Sequence, residues 1–376
     1  MDKYIDEHKQ WIDSVWNKID NKLSRVAVKS RNKIPYTTIN GVHDNKLVDD
    51  PTWWTNGFWG ALMWIMYLGT KNEEYRKTAE RAEELMDEAF NHYDKLHHDV
   101  GFMWNITSGA NYRITGNEKS KNRFRTAAAL LASRFNPQGG YIKAWNGEGN
   151  VVGFTIIDSM MNIPMLYRAT IEENDDRFEY IAKTHADKTI TDHIRSDGSV
   201  NHIVVHNPQT GAVENTCGGQ GYGDGSSWSR GQAWALYGFV LSYIHTKDEE
   251  YLNIAKRVAH YFVANLVTDS YLPLVDFRSP EEPVFYDSTA GACAACGLIE
   301  IAKVVPEYEK KIYIDAAMKL LIALEKEFCD WSEQEDSILQ NGKVAYGRGI
   351  HMPIIYGDFF FVEAIYKLRG NDFLIW

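Results

Sequence analysis

Two aspartates stand where a carboxylate is costly unless it is put to use. Asp158 interrupts the apolar run Val151-Val152-Gly153-Phe154-Thr155-Ile156-Ile157-Asp158-Ser159-Met160-Met161, and Asp99 sits in His97-His98-Asp99-Val100-Gly101-Phe102. A carboxyl in apolar surroundings resists ionisation, so its pKa rises toward that of a useful general acid. A second carboxylate nearby is the usual complement for chemistry that adds or removes water around a sugar oxygen. Two plainer readings stand beside this one. Asp158 can be a structural aspartate bonded to helix ends, and Asp99 the N-cap of a helix starting near Gly101.

Other residues suit the walls of such a site. Trp54, Trp145, Trp228 and Trp234 lie in or beside the candidate inner helices and mouth loops, and a tryptophan in a helix is ordinarily core. Trp145 differs, because Lys143-Ala144-Trp145-Asn146-Gly147-Glu148-Gly149 is a polar, glycine-flanked loop. An indole there offers a stacking platform for the CH face of a sugar ring. Arg230, in Ser227-Trp228-Ser229-Arg230-Gly231-Gln232-Ala233-Trp234, needs an anion if buried, either an internal carboxylate or a substrate acid. His202 and His206 lie in a strand-like stretch. Positions four apart there are about 13 Å from each other, too far to share a metal. There is no Walker loop, dinucleotide fingerprint or serine nucleophile elbow.

The elements that must position these residues alternate in type. Aromatic segments rich in small residues run over 53–68, 154–170, 228–245, 286–304 and 356–368. Charged amphipathic segments fall near 4–24, 117–134, 175–193 and 307–328, with a further helix near 101–112. Thr70-Lys71-Asn72-Glu73-Glu74-Tyr75 and Thr246-Lys247-Asp248-Glu249-Glu250-Tyr251 are an internal repeat, each an acidic cap with an aromatic anchor. About twelve helices result, and they predict an all-α fold: an (α/α)6 barrel, with aromatic helices inside and charged ones outside. A solenoid is the competing arrangement, but the connecting loops are long and unequal. Glycine-dense loops at 144–150, 199–227 and 272–283 would build the mouth of a pocket if all open on one end.

The bulk numbers bound the rest. The 376 residues carry a net charge of −11, with 44% hydrophobic and 24% charged residues and no basic block, which disfavours nucleic acid as a partner. No linker divides the chain, so one domain over 1–376 is expected. The N-terminus lacks the apolar core of a secretory signal, no stretch is long enough to span a membrane, and cysteines are few. A cytoplasmic protein is expected. Cys293-Ala294-Ala295-Cys296 has redox spacing but reads as packed helix core.

Taken together, the motifs resemble the unsaturated glucuronyl hydrolases, glycoside hydrolase family 88. The residues that carry the resemblance are Trp53-Trp54-Thr55-Asn56-Gly57-Phe58-Trp59, His97 to Phe102, Ile156-Ile157-Asp158, Trp228 to Trp234, and Tyr356-Gly357-Asp358-Phe359-Phe360. They run in family order across nearly the whole chain. The resemblance implies an α/α six-fold barrel and substrates ending in a 4,5-unsaturated uronic acid, such as lyase-generated di- and tetrasaccharides. The reaction it implies is hydration of the vinyl ether rather than attack at the anomeric carbon. It makes Asp158 the acid/base and Asp99 its essential partner. It places Trp54, His98, Trp145, His202, Gln220, Arg230 and Trp234 around the terminal sugar, with Arg230 and His202 toward the uronate, and it needs no metal or organic cofactor. Val275 stands where the family can carry tryptophan, so contact with the second sugar is expected to differ. The unsaturated rhamnogalacturonyl hydrolases are the nearest alternative, but those resemble Arg-Gly-Asn-Gly-Trp where this chain has Arg230-Gly231-Gln232-Ala233-Trp234. An epimerase or a non-catalytic sugar-binding protein on the same barrel are more remote alternatives.

Overall fold

The computed structural model describes residues 2–147 and 151–376; Glu148–Asn150, in the loop expected at the mouth, lie outside the described residues. Among the described residues, twelve main helical segments alternate between two rings. The outer ring comprises α1 (Lys9–Lys29), α3 (Glu73–Met86), α5 (Glu118–Ala132), α7 (Arg177–Asp192), α9 (Glu249–Ala264) and α11 (Glu307–Phe328). The inner ring begins with α2 (Gly57–Thr70) and α4, which runs from Val100–Trp104 through a π turn at Asn105–Gly109 into Ala110–Thr115. It continues with α6, made of Ser159–Asn162 and Pro164–Glu173, then α8 (Ser229–Thr246), α10 (Ser288–Val304) and α12 (Ile355–Leu368). Neighbouring inner helices pack in sequence order, and α12 packs against α2 to close the ring. This is the (α/α)6 barrel that the alternation of segments predicts.

Sequence composition explains the two rings. Every residue of α8 from Ser229 to Ser242 and of α10 from Ser288 to Ala302 is buried, whereas α3 buries only one face. Inner helices approach closely because small residues line their contacts. A Cβ on Gly238 would lie 2.5 Å from the Met160 side chain, inside any real contact distance. Cys293 and Cys296 are fully buried within α10, and all four cysteines are free. No helix among the described residues is long and apolar enough to cross a membrane.

The internal repeat marks inner-to-outer turns. Lys71 and Lys247 both take left-handed φ of 61°. Asn72 and Asp248 cap the next helix by accepting from the Glu74 and Glu250 amides. Tyr75 and Tyr251 then reach the neighbouring outer helix, donating to Asp20 Oδ1 at 2.6 Å and Asp187 Oδ1 at 2.7 Å. Inner-to-outer turns are short, so the long connections, including the described residues of the three glycine-dense loops, fall at the opposite end, where the inner helices begin. Small sheets brace that end. The largest orders β1 (Phe154–Ile156), β2 (Ile203–His206) and β3 (Val213–Cys217) side by side, antiparallel. Residues 154–156 were expected in a helix; pairing with β2 holds them extended, and α6 starts only at Ser159.

Candidate active site

Each inner helix delivers a side chain of the site at its N-terminal end. Trp54 precedes α2, Asp99 precedes α4, Asp158 precedes α6, Arg230 lies in the first turn of α8, Asp287 caps α10, and Tyr356 lies in the first turn of α12. Six helix N-termini, each carrying partial positive charge, thus face one end of the barrel, a field that suits an anionic ligand.

Asp99 occupies the N-cap position of α4, where that plainer reading puts it, but its side chain makes no cap bond. Its carboxylate turns to other partners instead. Asn162 Nδ2 donates to Oδ1 at 2.9 Å, His98 Nε2 lies 3.0 Å from Oδ1, and His97 Nδ1 lies 3.4 Å from Oδ2. Burial pushes the Asp99 carboxyl up, but the His98 charge and hydrogen bond outweigh it and hold the group below the usual range. Burial likewise works against a charge on His98, and Asp99 overcomes it, leaving the imidazole above its ordinary value. His97, His98 and Asp99 each offer one donor atom within 4.8 Å of the others, the kind of cluster that can hold a metal. Here the contacts serve a charge pair: His98 Nδ1 donates to the Ala144 carbonyl at 2.7 Å while Nε2 faces Asp99.

Asp158 sits in the turn between β1 and α6, not within a helix, and is 7% exposed. Its side chain makes no cap bond. Burial pushes its carboxyl up to about 7, the Asp99 charge adds to that, and His98 and Arg230 oppose it only in part. The two carboxyls therefore divide: one anionic, one able to hold a proton near neutrality. His202 Nδ1 lies 3.7 Å from Asp158 Oδ1, while His202 Nε2 is 2.5 Å from Gln220 Oε1. Burial pulls His202 down to about 3, so it is neutral. With Nε2–H donated to Gln220, Nδ1 presents its lone pair toward Asp158.

The wall residues separate into those that face the opening and those beneath it. Trp54 and Trp145 are half-buried. Trp145 packs against Ala144, Ile156 and Ile203, with His98 6.4 Å away edge-on. Arg134 clamps its loop by donating to Lys143 O, Ala144 O and Asn146 Oδ1. Trp234 is fully buried and forms a lower layer with Phe102, Phe360 and Tyr356. Val275 is also fully buried, its carbonyl accepting from Ser229. Arg230, whose partner sequence left open, has an internal one: Asp287 at 3.0 Å. It also donates to the Lys343 and Val344 carbonyls and lies over the Trp228 and Tyr356 rings.

Sequence reasoning missed Asn162, Asp287 and, as a site residue, Tyr356. The last two recur at the start of an inner helix, which is the one signal that would have found them. A hollow of about 690 Å3 between the C-terminal end of α11 and residues 268–272, lined by Tyr271, Lys319 and Phe328 among others, contains none of the expected site residues.

No family model matches the chain. It is 34% identical over 335 residues to the unsaturated glucuronyl hydrolase of Bacillus sp. (strain GL1), covering 86% of this chain and 89% of that one. It is 32% identical over 336 residues to the unsaturated chondroitin disaccharide hydrolase of Streptococcus pneumoniae, covering 87% and 84%. Among solved structures, the Bacillus sp. GL1 unsaturated glucuronyl hydrolase, responsible for the degradation of glycosaminoglycan, superposes with a TM-score of 0.87 at 31% identity over 94% of this chain and 96% of that one. An unsaturated glucuronyl hydrolase specific for heparin gives 0.86 at 27% identity over 98% of both. With this identity over most of both chains and the same barrel, the chain belongs to the unsaturated glucuronyl hydrolases, a family of glycoside hydrolases.

Proposed function

We propose that this hydrolase removes 4,5-unsaturated glucuronic acid from the non-reducing end of glycosaminoglycan-type oligosaccharides left by polysaccharide lyases. The reaction is hydration of the C4=C5 vinyl ether. Asp158 gives its proton to C4, and the former double-bond pair becomes the new C4–H bond. Positive charge then spreads over C5 and the ring oxygen, where the Asp99 carboxylate and the newly formed Asp158 carboxylate stabilise it. Water adds to C5 and returns a proton to Asp158. The resulting hemiketal opens by breaking the bond from C5 to the ring oxygen. C1 is then left as a hemiacetal and expels the neighbouring sugar, consuming one water overall.

The observation that carries this reading is the division of the two carboxyls: Asp158 held up to about 7 beside an Asp99 held low by His98. A proton donor to carbon must stay neutral until substrate arrives, and burial between β1 and α6 does that. Trp54 and Trp145 supply stacking faces. His98, His202 and Gln220 supply polar edges, and Trp234 underlies the pocket. Arg230, with six helix N-termini around it, favours the uronate carboxylate. The whole chain, 1–376, acts as one catalytic domain on imported di- and tetrasaccharides in the cytoplasm, and recovery of the protein outside cells would count against that location.

The test follows the ultraviolet absorbance of the conjugated uronate with lyase-generated disaccharides from chondroitin, hyaluronan and rhamnogalacturonan. Loss of absorbance on the glycosaminoglycan pieces with wild type, and none with Asp158→Asn, is expected. Loss on the pectic disaccharide alone would overturn the substrate assignment. Activity retained by Asp158→Asn would overturn the role of the acid.

A further inference from the structure

The segment that follows α12 leaves the surface step by step: Gly370 and Asp372 are exposed, Phe373 and Leu374 half-buried, and Ile375 and Trp376 buried. Gly370, at φ +81°, turns the chain back, and the chain then enters the end of the barrel opposite the site. Ile375 is 2% exposed and Trp376 fully buried. Two arginines of the inner ring hold this backbone. Arg113 of α4 donates to Leu374 O at 2.7 Å and Ile375 O at 2.5 Å, and Arg168 of α6 donates to Trp376 O at 2.7 Å. Each inward carbonyl thereby gains a charged donor, which is what lets irregular backbone lie in a barrel end without leaving acceptors bare.

The Trp376 side chain reaches the barrel axis. Its Nε1–H donates to Glu363 Oε1 at 3.0 Å, and the same oxygen accepts from Tyr237 OH at 2.6 Å. The indole lies parallel to Phe360, 5.9 Å away at 6° between planes, and edge-on to Phe102 at 6.0 Å. These two rings belong to the site's lower layer: Phe102 is 5.4 Å from both Trp54 and Trp234, and Phe360 is 5.5 Å from Trp234. The Phe102 amide donates to Asn162 Oδ1 at 2.8 Å, and the same Asn162 donates to Asp99. A single packed layer thus separates Trp376 from the sugar-facing rings and from the amide that orients Asp99.

We propose that Gly370–Trp376 is a plug that seals the far end of the barrel, and that Trp376, acting through Phe102 and Phe360, is a positioning residue for Asp99 and for the floor of the sugar site. This rests on the function proposed above. Close packing makes the mechanism plain. Removal of the indole leaves a cavity under the floor that its neighbours fill only in part, and both Phe102 and water gain room there. Asp158 owes its retained proton to burial, so water admitted from beneath also favours its ionisation.

Wild type, Trp376→Phe and Trp376→Gly are assayed on an unsaturated chondroitin disaccharide, with kcat and KM measured across pH, with and without added indole. Wild type must consume the uronate; if it does not, the functional reading fails and not this one. With wild type active, Trp376→Gly is expected to lose about 10- to 100-fold in kcat, because small misplacements of reacting groups cost that much. Its alkaline limb should move to lower pH, and indole should restore both by occupying the vacated cavity. Trp376→Phe, which keeps a ring against Phe102, should retain most of kcat. Should Trp376→Gly not fold, Trp376→Leu replaces it, with the loss of kcat and the shifted limb expected of it in turn. A fall in melting temperature with wild-type kcat and an unmoved limb, in either cavity variant, would overturn the proposal and leave the plug a purely structural element.

Discussion

Asn162 Nδ2 lies 2.9 Å from Asp99 Oδ1, across the gap between α6 and α4. The same nitrogen donates to the Asp158 carbonyl at 3.1 Å, and Asn162 Oδ1 accepts from the Phe102 amide at 2.8 Å. The amide orientation is therefore settled by its partners: the oxygen must face an N–H and the nitrogen two acceptors. One side chain ties the backbone of the acid to the carboxylate of its partner.

Asn162→Asp keeps the size of the side chain and removes that donor. Two carboxylates would then meet in a buried place, and one must take up a proton. The expected result is a kcat lower by about tenfold or more. The acid limb of the pH profile should move upward, because Asp99 no longer stays anionic so far below the usual range. An unmoved limb would show that Asn162 does not tune Asp99.

The pH dependence of the wild type follows from the two carboxyls. Asp158 must be protonated to donate, and its carboxyl is held up to about 7, so kcat should fall as pH rises through that value. Asp99 lies below the ordinary range, so the acid limb should appear only at low pH. Stability carries the same signature. Below its ordinary value of 3.8 the Asp158 carboxyl is protonated whether folded or unfolded, and costs nothing. Between 3.8 and about 7 the unfolded chain releases this proton while the folded protein retains it, a cost that grows with pH to on the order of 4 kcal/mol and is constant above about 7. Asp158→Asn should therefore raise the melting temperature near pH 8 much more than near pH 4, while abolishing activity. Equal shifts at both pH values would contradict the raised pKa.

Trp145 offers a ring in a clamped loop rather than in the core. Truncation in Trp145→Ala should remove stacking worth about 0.5–1.5 kcal/mol, which is roughly a 2- to 10-fold rise in KM. Little change in kcat is expected, because contact with an unreacting sugar face is made equally before and during reaction. A fall in kcat at constant KM would place Trp145 at the reacting carbons instead.

What the sequence made legible were features written in neighbouring residues. The apolar run flagged Asp158, and the repeated caps at Asn72 and Asp248 revealed the hairpin architecture. The strand at Phe154–Ile156 was not legible, because its apolar residues suit a buried helix as well as a buried strand, and only pairing with β2 decides. Asn162 and Asp287 were hidden for a different reason. Their partners lie 63 and 57 residues away, and a lone Asn or Asp at a helix start is ordinary until the ring closes. The same closure brings the chain after α12, unremarkable as sequence, against Arg168 and Phe360 of the inner ring.

Arg230 shows how a long-range partner changes an expectation. With Asp287 at 3.0 Å its charge is already balanced inside the protein, and the pair is buried on both sides. The guanidinium proposed to receive the uronate is thus fixed in position in advance by Asp287, two carbonyls and two rings. Arg230→Met should cost about 3–5 kcal/mol of stability by leaving Asp287 unpaired. It should also raise KM about 10- to 100-fold, the worth of a lost charge-assisted hydrogen bond. Arg230→Lys should rescue neither fully, since an ammonium cannot span the acid, both carbonyls and the Tyr356 face together. The double variant Arg230→Met with Asp287→Asn separates the two effects. Its melting temperature should recover most of the loss, because no charge is left stranded, while its KM stays high. Recovery of KM along with stability would mean that Arg230 serves the fold alone and that the helix N-termini hold the uronate without it.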